Sequence, residues 1–274
     1  MNVAVAVVVV VASASLAITA LLLVRRNAPD GSYFNDGDRA AGVFGVLATG
    51  FAVLLGLVVV LAFTSYDEAR TGAGTEALTV AQQYEVAHLL PPVTGRRLAA
   101  ELMCYGRSVV HQEWPRMQDG TQTDAMNPWG VALLRTLRAV DPRTASEQAA
   151  YSKWLDQRLD RETARSARIH GATGVIPAPL WLVLYITAAM IVGFMLLFAD
   201  SGERAFVQAV LIGTVVVVMT VTLLLIRFLD NPYRAGLGSL RPTAMERTLV
   251  LLEQERGVVG DSTRMPCDAR GAEL

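Results

Sequence analysis

Arg161, Arg165 and Arg168 stand four and three residues apart in "DRETARSARIH", so a helix would carry them as one basic stripe. Such a stripe could hold anionic lipid headgroups at a membrane surface. It could equally supply an electropositive vestibule that gathers inorganic anions near a pore. The three histidines, His88, His111 and His170, are isolated, and the polar residues of "HQE" at 111–113 would point to different faces of a helix. Cys104 and Cys267 lie far apart, and neither has a second Cys or a His at ligand spacing, so no disulfide framework, zinc site or other metal is expected. There is no glycine-rich phosphate loop, GxSxG elbow or HExxH pair. The expectation is a protein that is not an enzyme and needs no cofactor.

The elements that position these residues follow from composition. Of the 274 residues 53% are apolar and 18% charged, mean hydropathy is +0.38, and the net charge is −1. That balance gives no electrostatic case for nucleic acid. The apolar residues gather into charge-free runs from 3 to 24, 42 to 64, 177 to 199 and 205 to 226. Each reaches the roughly 20 residues a helix needs to cross a bilayer. Lipid leaves backbone groups no outside partner, so these runs should be helices despite their many valines. The fold expected is all-α: a multi-pass membrane protein with four transmembrane helices and a helical extramembrane insert between the second and third. The first run has no basic residue before it and is long for a cleaved signal, so it reads as a true span.

The divisions expected are 1–64 for spans one and two, 65–176 for the insert, 177–228 for the hairpin of spans three and four, and 229–274 for a tail. With four spans, the insert and tail share a side. Nine arginines near span ends lie on that side (70, 158, 161, 165, 168, 227, 234, 241 and 247), against Arg25, Arg26, Arg39 and Arg204 on the other. Arginine balance therefore favours a cytoplasmic insert and C-terminus, although Arg25 and Arg26 directly after the first span argue the other way.

Within the insert, Ala69, Ala73, Ala77, Val80, Tyr84 and Ala87 share a helical face, so span two could run on as one helix to Pro91 and Pro92, with Gly72 and Gly74 weakening it. The next helix should stop at Pro115. Residues 116–128 read as a polar loop in which Asn127 caps a short helix begun by Pro128. Thr144 and Glu147 form a capping box for a helix with Trp154, Leu155 and Leu159 inward. Thr243 and Glu246 suggest another, ending at Gly257, and residues 258–274 read as disordered.

Small residues Gly42, Gly45, Thr49, Ala52 and Gly56 recur along span two at three- and four-residue spacing, as in close helix contacts. The bulkier face carries Phe44, Leu47, Phe51, Leu55 and Val58, which could line a hydrophobic constriction or face lipid and a neighbouring span. No span holds a buried ionisable residue, which disfavours proton-coupled transport. In "FLDNPYRAGLGSLRP", Asn231 and Pro232 should end the fourth span, Gly236 and Gly238 permit left-handed turns, and Arg227, Arg234 and Arg241 could reach phosphates or pair with Asp230.

Three segments in order, "AFTSYDEAR" (Tyr66, Asp67, Glu68), "SVVHQEWP" (Glu113, Trp114, Pro115) and "FLDNPYRAGLGSLRPTA" (Asp230, Asn231, Pro232, Arg234), resemble the bacterial bestrophin-like integral membrane family of unknown function. That family shares its layout with the bestrophin anion channels. The resemblance implies a multi-pass protein of the bacterial plasma membrane, a homo-oligomer in contact with the lipid bilayer, and an ion channel as one possible activity. A membrane-anchored interaction or stress-response module without transport activity is the alternative.

Overall fold

The computed structural model describes residues 3–29, 33–121, 126–236, 238–260 and 263–274. Among these the protein is all-α, in the order α1 (Val3–Arg25), α2 (Gly37–Ala87), α3 (Pro92–Ser108), a π-helical turn (Val109–Glu113), α4 (Trp114–Gln118), α5 (Pro128–Arg138), α6 (Ala145–His170), α7 (Ala178–Leu197), α8 (Ala205–Leu229) and α9 (Thr243–Val259). Four of these, α1, α2, α7 and α8, are long and apolar enough to cross a membrane. At 51 residues α2 carries both the second apolar run and the first helical stretch of the insert without a break.

The chain forms two compact units, Met1–Ser65 with Gly174–Asn231 and Tyr66–Thr173 with Pro232–Leu274. In the first, α1 packs chiefly on α8. Gly213 makes room there, since a Cβ added to it would stand 3.3 Å from Ile18 Cδ1. Ala17, Leu21, Ile212 and Val216 fill the seam with Ala199. Arg25 closes one end by donating to the carbonyls of Asp200, Ser201 and Glu203 in the α7–α8 turn. Asp230 follows α8 and accepts from the backbone N–H groups of Val175 and Ile176 at 2.8 and 3.0 Å. Its carboxylate thus ties the entry of α7 to the exit of α8, in place of an arginine partner. Gly174, at φ +70°, lets the chain pass this carboxylate, since a Cβ would lie 3.1 Å from Oδ1.

The second unit is a soluble-type core of Trp154, Tyr84, Tyr105, Leu98, Leu102, Leu133 and Leu137. Asn127 caps α5 by accepting from Trp129 N–H, and Thr144 with Glu147 forms the expected box on α6. Four expectations fail here. Pro115 does not stop its helix: Trp114 N–H reaches Val109 O, five residues back, and the widened π turn lets the proline enter a helix that continues to Gln118. Leu155 and Leu159 are exposed, because the inward face of α6 is Ala150, Trp154, Gln157, Arg161, Ala164 and Arg168. At α9 no side chain caps the start, and the helix runs past Gly257 to a left-handed Gly260.

The last failure concerns the tail. Residues 263–274 are ordered, and Cys267 forms a disulfide with Cys104 of α3, 163 residues away, at a Cα–Cα distance of 5.8 Å. Trp129 Nε1 and Gln112 Nε2 hold the carbonyls of Gly271 and Arg270. Gly271, at φ +78°, lies against Ser108 where a Cβ would collide with backbone. Two cysteines without ligand spacing were a pair brought together by the fold, which linear spacing does not encode. Part of the loop expected at 116–128 (122–125) and part of the expected disordered end (261–262) lie outside the described residues.

Candidate functional site

The most organised polar feature is a buried cluster in the second unit, built on α2 and α6. Glu76 and Gln83, seven residues apart, interrupt the alanine-rich inner face of α2. Arg168 and Arg161, also seven apart, occupy the inner face of α6, which runs antiparallel. Arg168 pairs with Glu76 through Nε and Nη2, the latter 3.0 Å from Oε1, and Arg161 Nη1 donates to Gln83 Oε1 at 2.7 Å. The helices approach closely because Gly72 has no side chain; a Cβ there would stand 2.7 Å from Ala164 O.

The π turn delivers the third element. It turns Glu113 inward, where its carboxylate accepts from Arg168 Nη2, from Arg165 Nη2 at 3.0 Å and from Asn127 Nδ2 at 2.9 Å. Trp114, next in sequence, donates to Leu240 O at 3.3 Å and meets the Tyr233 ring edge-on at 5.3 Å. Tyr233 Oη donates to Arg168 O at 2.7 Å, and Tyr105 Oη donates to Glu76 Oε1. Arg168 and Glu76 are fully buried. Burial alone would raise the Glu113 carboxyl; the Arg168 and Arg165 guanidiniums overcome that and hold it below its ordinary value. Burial would lower the Arg168 guanidinium, and Glu76 beside it raises it well above the ordinary value instead. Burial pushes the Tyr105 and Tyr233 phenols up, so both stay protonated donors. Glu76 and Glu113 answer the charges of Arg168 and Arg165, while Arg161, the third guanidinium, is held by neutral Gln83. Chemically this is an organising node, with no nucleophile at its centre.

The basic stripe is therefore neither a lipid-facing nor an open anion-gathering surface. Arg161 and Arg168 lie inside the unit, and Arg165 is bound to Glu113. The quoted motifs split. Glu113 and Trp114 meet Tyr233 of the third motif around Arg168, and Pro115 follows within α4. Tyr66 Oη donates to Gly238 O at 3.0 Å, where Gly238 takes φ +79°, while Asp67, Glu68 and Arg234 are exposed. Asp230 and Asn231 belong to the first unit, and buried Pro232 begins the second unit's tail. Glu76, Gln83 and Tyr105 escape sequence reasoning, and Asn127 is read there only as a helix cap. The signal that could have found the first two is a pair of polar residues seven apart on the α2 face otherwise marked by Ala69, Ala77, Val80 and Ala87.

On α2 of the first unit, Phe51 and Val58 are buried and Phe44 stacks on Phe194 at 5.8 Å, with Leu47 and Leu55 half-buried. The bulky face is taken up within the protomer. Gly42, Gly45, Thr49, Ala52 and Gly56 are all exposed, and a Cβ at Gly42, Gly45 or Gly56 would meet nothing within 4 Å.

A family model described as a Bestrophin-like domain matches residues 5–245. The chain belongs to the bestrophin-like family. Its fold is similar to crystal structures of a bacterial bestrophin homologue from Klebsiella pneumoniae. One single-substitution variant superposes with a TM-score of 0.69 at 15% identity, covering 89% of this chain and 99% of that one. Another structure of such a homologue from the same organism gives 0.66 at 16%, covering 92% and 99%. A structure described only as a membrane protein variant gives 0.67 at 15%, covering 94% and 99%. At these identities the likeness speaks for the fold. No match is found among the curated proteins compared with it. The bestrophin-like chain is thus a membrane protein that has, among the described residues, four helices long and apolar enough to cross a bilayer.

Proposed function

We propose that this bestrophin-like protein is an oligomeric ion channel in which α2 meets other copies of the chain. One observation carries the reading: the small-residue face of α2 has no partner in the protomer, although small stripes in lipid serve close contact between helices. The bulky face of Phe44, Leu47, Phe51, Leu55 and Val58 is supported less well as a pore lining, because it packs within its own unit. Family membership and absence of ionisable groups from the apolar spans agree with passive conduction. With the arginine stripe turned inward, the channel reading carries no assigned charge selectivity.

The insert and tail are placed on the cytoplasmic side. Arginine balance at the span ends supports this. The Cys104–Cys267 bond pulls the other way, since disulfides persist in oxidising compartments. A charge balance acts at every span end, so it is given the greater weight; the bond then sits within reach of cellular thiols.

Purified protein in planar bilayers tests the reading. Discrete currents are expected. Silent bilayers from a folded preparation would remove the channel and leave the membrane-anchored interaction module, for which exposed Val250 and Leu251 on α9 would be the contact.

A further inference from the structure

Arg161 is 2% exposed, yet no carboxylate among the described residues lies within ion-pair distance of it. Among the described residues its one hydrogen bond is from Nη1 to Gln83 Oε1. The Tyr105 ring covers one face of the guanidinium at 4.9 Å. This leaves Nε and Nη2, the side-by-side donors that match a carboxylate in a fork, without a partner. Leaving a buried cation unpaired costs several kcal/mol unless something answers it. Its neighbours on α6 are already committed, Arg158 to Glu162 at 2.8 Å and Arg165 to Glu113.

The unpaired guanidinium borders a cavity of about 270 Å³ between α5 and α6. Met126, Val131 and Leu134 supply an apolar wall, and Gly130 of the first turn of α5 leaves one side open. We propose that this cavity is a binding site for a small organic carboxylate, held by the free fork of Arg161 with its aliphatic part against Met126, Val131 and Leu134. The volume sits at the small end of ligand pockets, so a chain of a few carbons fits and a lipid does not. Burial holds the Arg161 guanidinium below its ordinary value, a penalty that an incoming carboxylate relieves. The site does not depend on whether the protein conducts.

Titration calorimetry of the full-length protein in detergent with propionate tests this, with neutral propionamide, chloride and phosphate as comparisons at matched ionic strength. Propionate should bind saturably and propionamide should not. Arg161→Gln should weaken propionate at least about tenfold, the loss of one charged hydrogen bond or more. Because Arg161 lies in the core, Gly130→Leu gives a second reading: a Cβ there meets nothing within 4 Å, so the new side chain fills the cavity while Arg161 stays. It too should lower affinity at least about tenfold. Equal responses to propionate and propionamide, undiminished binding by Gly130→Leu, or saturable binding of chloride or phosphate in place of propionate would each overturn the proposal.

Discussion

Glu113 accepts from three donors, Asn127 at the cap of α5 and Arg165 and Arg168 on α6, so it is the residue through which α5, α6 and the π turn are held in one geometry. Its carboxyl gives up its proton more readily folded than unfolded. The stability it contributes is therefore fully present above the ordinary carboxylate range and is lost as pH falls through the lower, folded-state value. Purified protein titrated with acid should lose thermal stability in that window. Glu113→Gln should flatten that part of the profile and cost about 3 kcal/mol at neutral pH, because Arg168 and Arg165 are left short of an acceptor. An unchanged acid profile would separate Glu113 from the node. The sequence offered Glu113 and Trp114 as parts of a motif and Arg161, Arg165 and Arg168 as a stripe. That the two sets are partners was not legible, because a stripe of like charge is judged by its own helix and its counter-charges lie elsewhere in the chain.

At the level of elements, the long helix α2 works because two glycines in it have different duties. Gly72 lets α6 pass, with Ala167 Cβ only 2.9 Å from where its own Cβ would be, whereas a Cβ at Gly74 meets nothing within 4 Å. Gly72→Leu should lower the melting temperature, at a cost of about 1–3 kcal/mol or more from overpacking. Gly74→Ala should be neutral or gain up to about 1 kcal/mol of helix propensity. Equal effects from both would remove the tight α2–α6 approach. From sequence the two were indistinguishable helix weakeners, since propensity counts residues and not neighbours. The helix around them was legible because Ala69, Ala77, Val80 and Tyr84 mark one face without interruption by proline. The π turn was not, because a proline reads as a stop until the preceding turn is known to widen.

For the whole molecule, four membrane-crossing helices and the all-α fold could be read from charge-free length alone, the strongest signal lipid imposes on a sequence. The docked tail was illegible: Cys267, Gly271 and Trp129 come together only once α3 and α5 are placed. Which face of α2 is free was equally hidden, since both faces are uncharged and only the packed protomer shows the aromatic side already occupied. The central claim is that copies of this bestrophin-like chain meet through the open face. Oxidative cross-linking in native membranes tests it most directly, with Ala52→Cys on that face and Phe51→Cys on the buried one. A disulfide-linked pair of copies is expected from Ala52→Cys, since each chain then carries one free thiol, and single chains from Phe51→Cys. A linked pair from Phe51→Cys alone, or from neither variant, would contradict it.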